Sequence, residues 1–268
     1  MYQICICLLF CLTGCSTADE NTIRRRNEVA TYIDRHHDEH LFQASAASWV
    51  SPDRYSWEVE GSGHYPRITK DFFRCRGCEL NPVRIVESNH IYDCGGADRH
   101  SLPLRDNKEF VYPILVDLLN ELQDKTGKRV VITSGHRCPE HNRYVDPSTA
   151  NSTSKHMIAA EASFYIQGLE NRPDEALKII FDYYRTNPKY QADKAYTEFQ
   201  RYDKETDIAT PPWYNKEVFV KIYQREEGRD FDNRHPYPYI SVQVRYDWDK
   251  KERVQYTWKD AQRNYLRS

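Results

Sequence analysis

The polar segment at 134–156 holds the densest group of side chains that could do chemistry. Its ionisable and metal-binding groups are His136, Arg137, Cys138, His141 and His156. Imidazole and thiolate groups bind zinc, and a guanidinium can hold a carboxylate through two parallel hydrogen bonds. The segment therefore predicts a binding or catalytic site.

The elements on either side of this segment predict how it is positioned. The β-branched run at 130–133 is typical of a buried strand, and Ser134 and Gly135 end it and begin a long polar loop. A second apolar run follows His156. Because sites are commonly built on loops held by rigid elements, we expect the polar side chains to project from between two strands.

Further elements complete the predicted architecture. Apolar residues at three- and four-residue steps predict helices over 112–126 and 173–185, the first ended by Gly127. The alternating runs at 218–223 and 239–246 predict strands, whereas 187–212 has no clear pattern. This order of helices and strands predicts an α+β fold, a sandwich of an antiparallel sheet with packed helices.

Two stretches carry a resemblance to a known family. Residues 134–142 read Ser-Gly-His-Arg-Cys-Pro-Glu-His-Asn, and 154–164 read Ser-Lys-His-Met-Ile-Ala-Ala-Glu-Ala-Ser-Phe. Together they resemble the zinc D-alanyl-D-alanine carboxypeptidases, whose fold is shared with Hedgehog signalling domains and whose pattern is Ser-x-His-x-x-Gly-x-Ala-x-Asp. Ser154 and His156 match this pattern, but Ser163 stands where the metal-binding aspartate is expected.

The resemblance implies a zinc site with His156 as the first ligand. The third ligand, a histidine on a late strand, is replaced by Ser241, and a neutral hydroxyl offsets little of the charge of a cation. Glu161 lies two residues before Ser163 on the same predicted strand face, and His235 lies just before the late strand. Two interpretations stay open: a rearranged site of His156, Glu161 and His235 with Glu161 as a possible catalytic carboxylate, or a lost metal site in a retained fold.

The resemblance also implies a peptide-binding role for the polar loop. Arg137 is expected to help hold the carboxylate of the substrate, with Asn142 and Ser154 beside it; the alternative for Arg137 is a salt bridge that ties the loop. The predicted function is to engage peptidoglycan stem peptides with little or no catalysis. The alternatives are an active zinc D,D-peptidase with rearranged ligands and a structural envelope protein. No nucleophile elbow, phosphate-binding glycine loop or dinucleotide motif indicates another enzyme class.

The N-terminus predicts an exported lipoprotein. Residues 4–12 are apolar but too few to span a bilayer, and 12–15 read Leu-Thr-Gly-Cys, a pattern that resembles the bacterial lipobox. We therefore expect a signal peptide at 1–14, lipid on Cys15, a tether and N-terminal extension at 15–67, and the carboxypeptidase-like domain at 68–268. The expected location is the bacterial cell envelope, facing the periplasm or the surface, with the lipid as the contact to the membrane.

Removal of this leader leaves four cysteines beyond the lipidated one: Cys75, Cys78, Cys94 and Cys138. In an oxidising compartment they predict two disulfides, and the alternative is a structural zinc site. The formal net charge of -2, from 38 basic and 40 acidic residues, gives no field that would favour nucleic acid as a partner.

Overall fold

An antiparallel sheet, flanked by helices, positions the polar segment. The structure is a computed structural model that describes residues 65–148, 154–263 and 265–266, all within the unit Val50–Ser268. Cys15, the signal peptide and most of the tether lie outside the described residues. Within the described part of the chain, no helix combines the length and apolar character needed to cross a membrane.

The bounds of the elements are as follows. The strands are β1 (Arg84–Val86), β2 (Asn89–Ile91), β3 (Leu104–Arg105), β4 (Lys108–Glu109), β5 (Val130–Ser134), β6 (Glu161–Ile166), β7 (Gln200–Arg201), β8 (Trp213–Tyr214), β9 (Val218–Tyr223), β10 (Tyr239–Val244), β11 (Tyr246–Asp247) and β12 (Glu252–Arg253). The α-helices are α1 (Pro113–Thr126), α2 (Pro139–Val145), α3 (Pro173–Thr186), α4 (Lys194–Thr197) and α5 (Trp258–Arg263). Short 3-10 turns cover Lys70–Phe73, Gly96–Asp98 and Lys155–Ile158.

The main sheet has the strand order β5-β6-β10-β9-β8-β7, with every neighbouring pair antiparallel. Successive side chains of a strand point to opposite faces. In β6, Ala162 and Phe164 therefore enter the main apolar core, while Glu161 and Ser163 face the other side. The α+β class predicted from the sequence is confirmed.

Helices α1 and α3 cover the apolar face of the sheet. Leu118 and Leu122 of α1, together with Ile180 of α3, are at most 1% exposed and pack with β6, β9 and β10 in one core cluster. Pro113 occupies the first turn of α1, where a missing N–H costs no hydrogen bond, and Gly127 ends the helix with a φ of 61°. Both helices lie within one residue of their predicted limits.

Two segments have structure that the sequence analysis did not predict. Strands β1 and β2 form a hairpin, because Glu87 and Ser88 adopt φ values of 47° and 70°, which fold the chain back on itself. The long polar loop after β5 contains helix α2, with Cys138 as its N-cap. The sulfur of Cys138 accepts a hydrogen bond from the backbone N–H of His141, which satisfies one of the donors at the start of the helix.

A bulge interrupts the pairing of β5 with β6. Ile132 lies opposite Phe164, but Ser134 rather than Thr133 lies opposite Ser163, so Thr133 is the extra residue. Both hydroxyls at this end of the strand then bond to the same loop: Thr133 donates to Asn233, and Ser134 donates to Asp232. The bulge fixes the loop that connects β9 to β10.

Candidate functional site

A polar cavity of about 520 Å³ opens on the sheet face opposite α1 and α3. Its floor is formed by β6 and β10, whose register places Ser241 opposite Ser163 and Gln243 opposite Glu161. Tyr223 and Tyr239, stacked at 4.5 Å between ring centroids, also line it. The sheet therefore assembles the predicted polar residues from segments about eighty positions apart in the chain.

His156 reaches this cavity from the 3-10 turn that precedes β6. Its Nδ1 lies 2.7 Å from the carbonyl oxygen of Gly135, and because a carbonyl only accepts, Nδ1 carries the hydrogen. The Nε2 lone pair is left on the side of Glu161, whose Oε1 is 3.6 Å away. Burial lowers the pKa of His156 despite the neighbouring carboxylate, so the ring is neutral at neutral pH.

Glu161 is held by neutral donors. Ser241 Oγ donates to Glu161 Oε1 at 2.6 Å, and Gln243 Nε2 donates to the same oxygen at 3.0 Å. Burial opposes the charge of the carboxylate, but its attraction to the protonated form of the His156 ring and these two hydrogen bonds outweigh it and lower the pKa of Glu161. The carboxylate oxygen that faces His156 is therefore already bonded to two protein groups.

The rearranged zinc site is not assembled. His235 is buried and packs its ring against Tyr165, Tyr237 and Tyr239, at centroid distances of 5.0, 6.0 and 5.7 Å. In the described ranges, the clusters of metal-binding atoms include neither His156 nor Glu161, and His235 belongs to none of them. The prediction of His235 as a ligand is thus corrected: aromatic packing holds its ring elsewhere. With serines at the other two expected positions, these residues do not fit a catalytic zinc ion.

Arg137 is bound to protein carboxylates. Its Nε donates to Asp232 Oδ2 at 2.9 Å and to Ser134 Oγ at 2.7 Å, and its Nη2 donates to Asp230 Oδ2 at 2.7 Å. Burial disfavours the charge, but Asp230 and Asp232 more than offset it and raise the pKa of Arg137. Although Arg137 lines the cavity, its role as the main grip on a substrate carboxylate is corrected to the alternative, a salt bridge that ties the loop.

A charged histidine extends this network, and sequence analysis gave it no role. His141 places Nδ1 at 2.7 Å from Asp93 Oδ1 and Nε2 at 3.0 Å from Asp232 Oδ1. Two carboxylates can both accept only from a doubly protonated ring. Burial opposes that charge, yet Asp232 and Asp93 raise the pKa of His141 to about 10. Asp93 and Asp232 lie 48 and 91 residues from His141, so no local pattern indicated the contact.

The other two predicted binding residues do face the cavity. Ser154 caps the 3-10 turn, where its Oγ accepts from the backbone N–H of His156 at 3.3 Å, and Asn142 lines the wall from α2. Lys155 also lines the cavity, and sequence analysis did not select it. Among the described residues, no carboxylate forms an ion pair with Lys155, whereas the ammonium of Lys221 is 2.7 Å from Asp207. Burial lowers the pKa of Lys155, with Glu161 opposing the shift.

The cysteines are free thiols in the described part of the chain, so the two predicted disulfides are corrected. Cys75, Cys94 and Cys138 converge with His100 in a buried cluster, and the three sulfurs and one ring nitrogen lie within 4.8 Å of one another. Cys78 is not a member of this cluster. Its sulfur instead accepts a hydrogen bond from the backbone N–H of Leu80 at 3.4 Å. Sequence analysis selected three of the four members and missed His100.

The antiparallel sheet with a polar cavity on one face and helices on the other is that of a peptidase-like α+β domain. Residues 93–180 match the family model described as Peptidase M15, so this part of the chain is similar to the zinc D-Ala-D-Ala carboxypeptidase-like family. The match includes His156 and Ser163 and ends before β10, so Ser241 lies outside it. No curated protein and no solved structure gave a match.

Proposed function

We propose that the cavity binds the carboxylate end of a short peptide, of the kind found in peptidoglycan stems, and releases it without cutting it. The observation that carries this proposal is the pairing of Ser163 with Ser241 beside His156. The resemblance expects a carboxylate and an imidazole at these two places. A hydrolytic zinc ion needs three protein ligands and an open position for water, and this cavity supplies one imidazole.

The state of Glu161 supports a binding role over a catalytic one. Oε1 of Glu161 accepts from Ser241 and Gln243, and hydrogen bonds to the charged form stabilise the carboxylate relative to the protonated acid. Its lowered pKa also makes it a weak base. Held in this way, the carboxylate is suited to accept a hydrogen bond from a peptide amide or an ammonium group.

Lys155 supports the preference for a carboxylate. Arg137 is engaged by Asp230 and Asp232, and Lys221 by Asp207. Arg84 and Arg229 also line the cavity, but their guanidinium groups donate to backbone carbonyls. Among the described residues, Lys155 forms neither kind of contact and is therefore the cation best placed to meet a ligand carboxylate. Ser154 and Asn142 also line the cavity and carry neutral hydrogen-bonding groups. The stacked rings of Tyr223 and Tyr239 supply an apolar wall that suits small side chains such as the methyl group of alanine.

The test compares two peptides that differ at one group. A stem-type peptide ending in D-Ala-D-Ala and the same peptide with a C-terminal amide are titrated calorimetrically into the mature chain. We expect the acid to bind and the amide to bind about tenfold or more weakly, the value of one hydrogen bond to a charged group. Lys155→Met should remove the difference between the two peptides. Lys194→Met, which removes a lysine that is 87% exposed and absent from the cavity lining, is the matched control.

The same samples test for hydrolysis. D-alanine release is followed with added zinc and with a chelator, and we expect none above background in either. Zinc-dependent release that is abolished by His156→Ala would show an active D,D-peptidase and overturn the proposal of binding without cutting. Equal affinity for both peptides would show that the cavity does not recognise the carboxylate, and the absence of binding by either peptide would leave only a structural role for the domain.

The location is part of the proposal, and the sequence of the N-terminus supports it. A short apolar segment followed by Leu-Thr-Gly-Cys predicts lipid on Cys15, and the tether would let the domain reach the cell wall from the membrane. In a bacterial host, we expect the full chain in the membrane fraction with an N-terminal mass that carries lipid, and Cys15→Ser should lose both. A soluble wild-type chain would contradict the anchor without affecting the binding site.

A further inference from the structure

A second group of metal-binding side chains lies outside the cavity lining. Cys75 follows the 3-10 turn Lys70–Phe73, Cys94 and His100 flank the turn Gly96–Asp98, and Cys138 caps α2. All four are at most 7% exposed. Their three sulfurs and one imidazole nitrogen lie within 4.8 Å of one another, although the residues span more than sixty positions of the chain.

The distances fit the edges of a zinc tetrahedron. With Zn–S of about 2.3 Å and Zn–N of about 2.0 Å, a tetrahedral site has S···S edges of about 3.8 Å and S···N edges of about 3.5 Å. The Sγ atoms of Cys75 and Cys94 are 3.8 Å apart, and His100 Nε2 is 3.5 Å from Cys94 Sγ. The group has the size that one zinc ion requires.

The tautomer of His100 is set by its backbone. Its Nδ1 is 3.4 Å from the carbonyl oxygen of Ser101, which can only accept, so this nitrogen carries the hydrogen. The lone pair of Nε2 is therefore directed at the sulfurs. An imidazole oriented by a carbonyl in this way is the usual arrangement of a zinc-bound histidine.

The backbone around the sulfurs also suits thiolates. Gly96 N–H is directed at Cys94 Sγ at 3.4 Å, and His141 N–H at Cys138 Sγ at 3.3 Å. At position 77, a Cβ would lie 2.0 Å from Cys94 Sγ, so Gly77 is required for the backbone to approach this closely. The close approach of the backbone and these N–H donors stabilise sulfurs in the thiolate form that binds zinc.

A disulfide explains this arrangement less well. Three thiols converge, so one disulfide would leave the third thiol and His100 without a role. Four protein ligands of the Cys3His type instead complete a tetrahedron and leave no position for water. Such a site is structural.

We propose that Cys75, Cys94, His100 and Cys138 bind one zinc ion as a structural site, independent of the peptide cavity. The ion ties the segment before β1 and the turn after β2 to the start of α2. Helix α2 carries His141 and Asn142, so the zinc ion holds the helix that forms one wall of the cavity.

The first measurement is the metal content of the mature chain purified without added chelator. We expect one zinc per chain, and Cys138→Ser and His100→Ala should lower it to a small fraction. Cys78→Ser is the matched control, since Cys78 is three residues from Cys75 but outside the cluster, and it should keep the full equivalent. Absence of zinc from the wild type, or full zinc content in Cys138→Ser, would overturn the proposal.

A second measurement keeps the proposal testable if the variants fail to fold. Thiol alkylation of the folded wild type, followed by peptide mass mapping, should modify Cys78 and spare the other three; chelation should expose those three together. Replacement of zinc by cobalt should give the thiolate charge-transfer and d–d absorption of a tetrahedral sulfur-rich site. A loss of 2 Da per bond in the unreduced chain, assigned to a pair among Cys75, Cys94 and Cys138, would show a disulfide in place of zinc.

Discussion

Ser163 and Ser241 lie directly opposite each other on the antiparallel strands β6 and β10, on the face that His156 also reaches. Both are at most 3% exposed. These are the positions at which the family resemblance expects an aspartate and a histidine ligand. The sheet thus brings these two positions together on the face that His156 reaches, and a neutral hydroxyl at each offsets little of the charge of a cation.

This pairing predicts that two substitutions restore a metal site. Ser163→Asp combined with Ser241→His places a carboxylate and an imidazole beside His156, and we expect the double variant to hold one more zinc per chain than the wild type. Metal analysis of both proteins, purified in parallel, measures the difference. A third substitution, His156→Ala, should remove the added equivalent. An unchanged zinc content would mean that the strands do not keep the geometry of the ligand set.

Arg137 is expected to stabilise the fold. Arg137→Met leaves Asp232, which is 2% exposed, without its guanidinium partner, and breaking a buried ion pair in this way costs about 3–5 kcal/mol. Urea unfolding followed by circular dichroism measures the loss in the free energy of unfolding. Arg172→Met removes an exposed pair with Glu175 and should cost less than about 1 kcal/mol. Equal losses in the two variants would contradict a structural role for Arg137.

Glu217 is expected to make the free energy of unfolding depend on pH. The carboxylate is buried and accepts from Tyr184 Oη at 2.9 Å, and burial raises its pKa above the ordinary value of 4.5. A raised pKa means that the folded state holds the proton more tightly, so this contribution is complete below pH 4.5 and is lost as the pH rises through the folded pKa.

Glu217→Gln cannot titrate and keeps an oxygen for Tyr184. The free energy of unfolding of the wild type should therefore fall relative to the variant as the pH rises, by up to about 1.4 kcal/mol per pH unit between the two pKa values of the glutamate. Urea unfolding of both proteins from pH 4 to pH 8 tests the sign. Parallel profiles would show that Glu217 has the same pKa in both states.

Substitutions at Gly127 test whether the left-handed backbone at the end of α1 favours glycine. Its φ of 61° is left-handed, and a Cβ would meet no other atom within 4 Å, so the cost of a side chain there is conformational. Gly127→Ala should lower the free energy of unfolding by about 1 kcal/mol, and Gly127→Asn by less, since asparagine tolerates this region. Thermal unfolding of the two variants measures the difference. A higher melting temperature for Gly127→Ala than for Gly127→Asn would contradict a conformational cost at this position.

The sequence predicted the elements that have a clear period. Helix α1 and strands β5 and β10 follow from apolar residues at helical or alternating steps, and the places of Ser163 and Ser241 follow from the family pattern and the late strand. In contrast, Arg137 could not be assigned its partners, because Asp230 and Asp232 lie more than ninety residues away. Such pairs are fixed by the tertiary fold and leave no local pattern.

The metal-binding cluster was predicted only in part, for a related reason. Counting cysteines selected Cys75, Cys94 and Cys138 because thiols are rare, but nothing in the chain near His100 distinguishes it from other histidines. Counting also included Cys78, whose spacing from Cys75 resembles a zinc motif. In the structure, His100 and not Cys78 is the fourth member of the cluster. The direction of the backbone decides which side chain points inward, and sequence spacing does not encode that direction.

The bulge at Thr133 makes the contact between β5 and the β9–β10 connection resist rotation as well as separation. Two consecutive residues, Thr133 and Ser134, bond to two consecutive residues, Asn233 and Asp232. A single hydrogen bond would act as a pivot about which the loop could turn. With two, Asp232 is held in one orientation, so one carboxylate oxygen meets Arg137 and the other meets His141. One inserted residue in a strand thereby sets the direction of a buried charge.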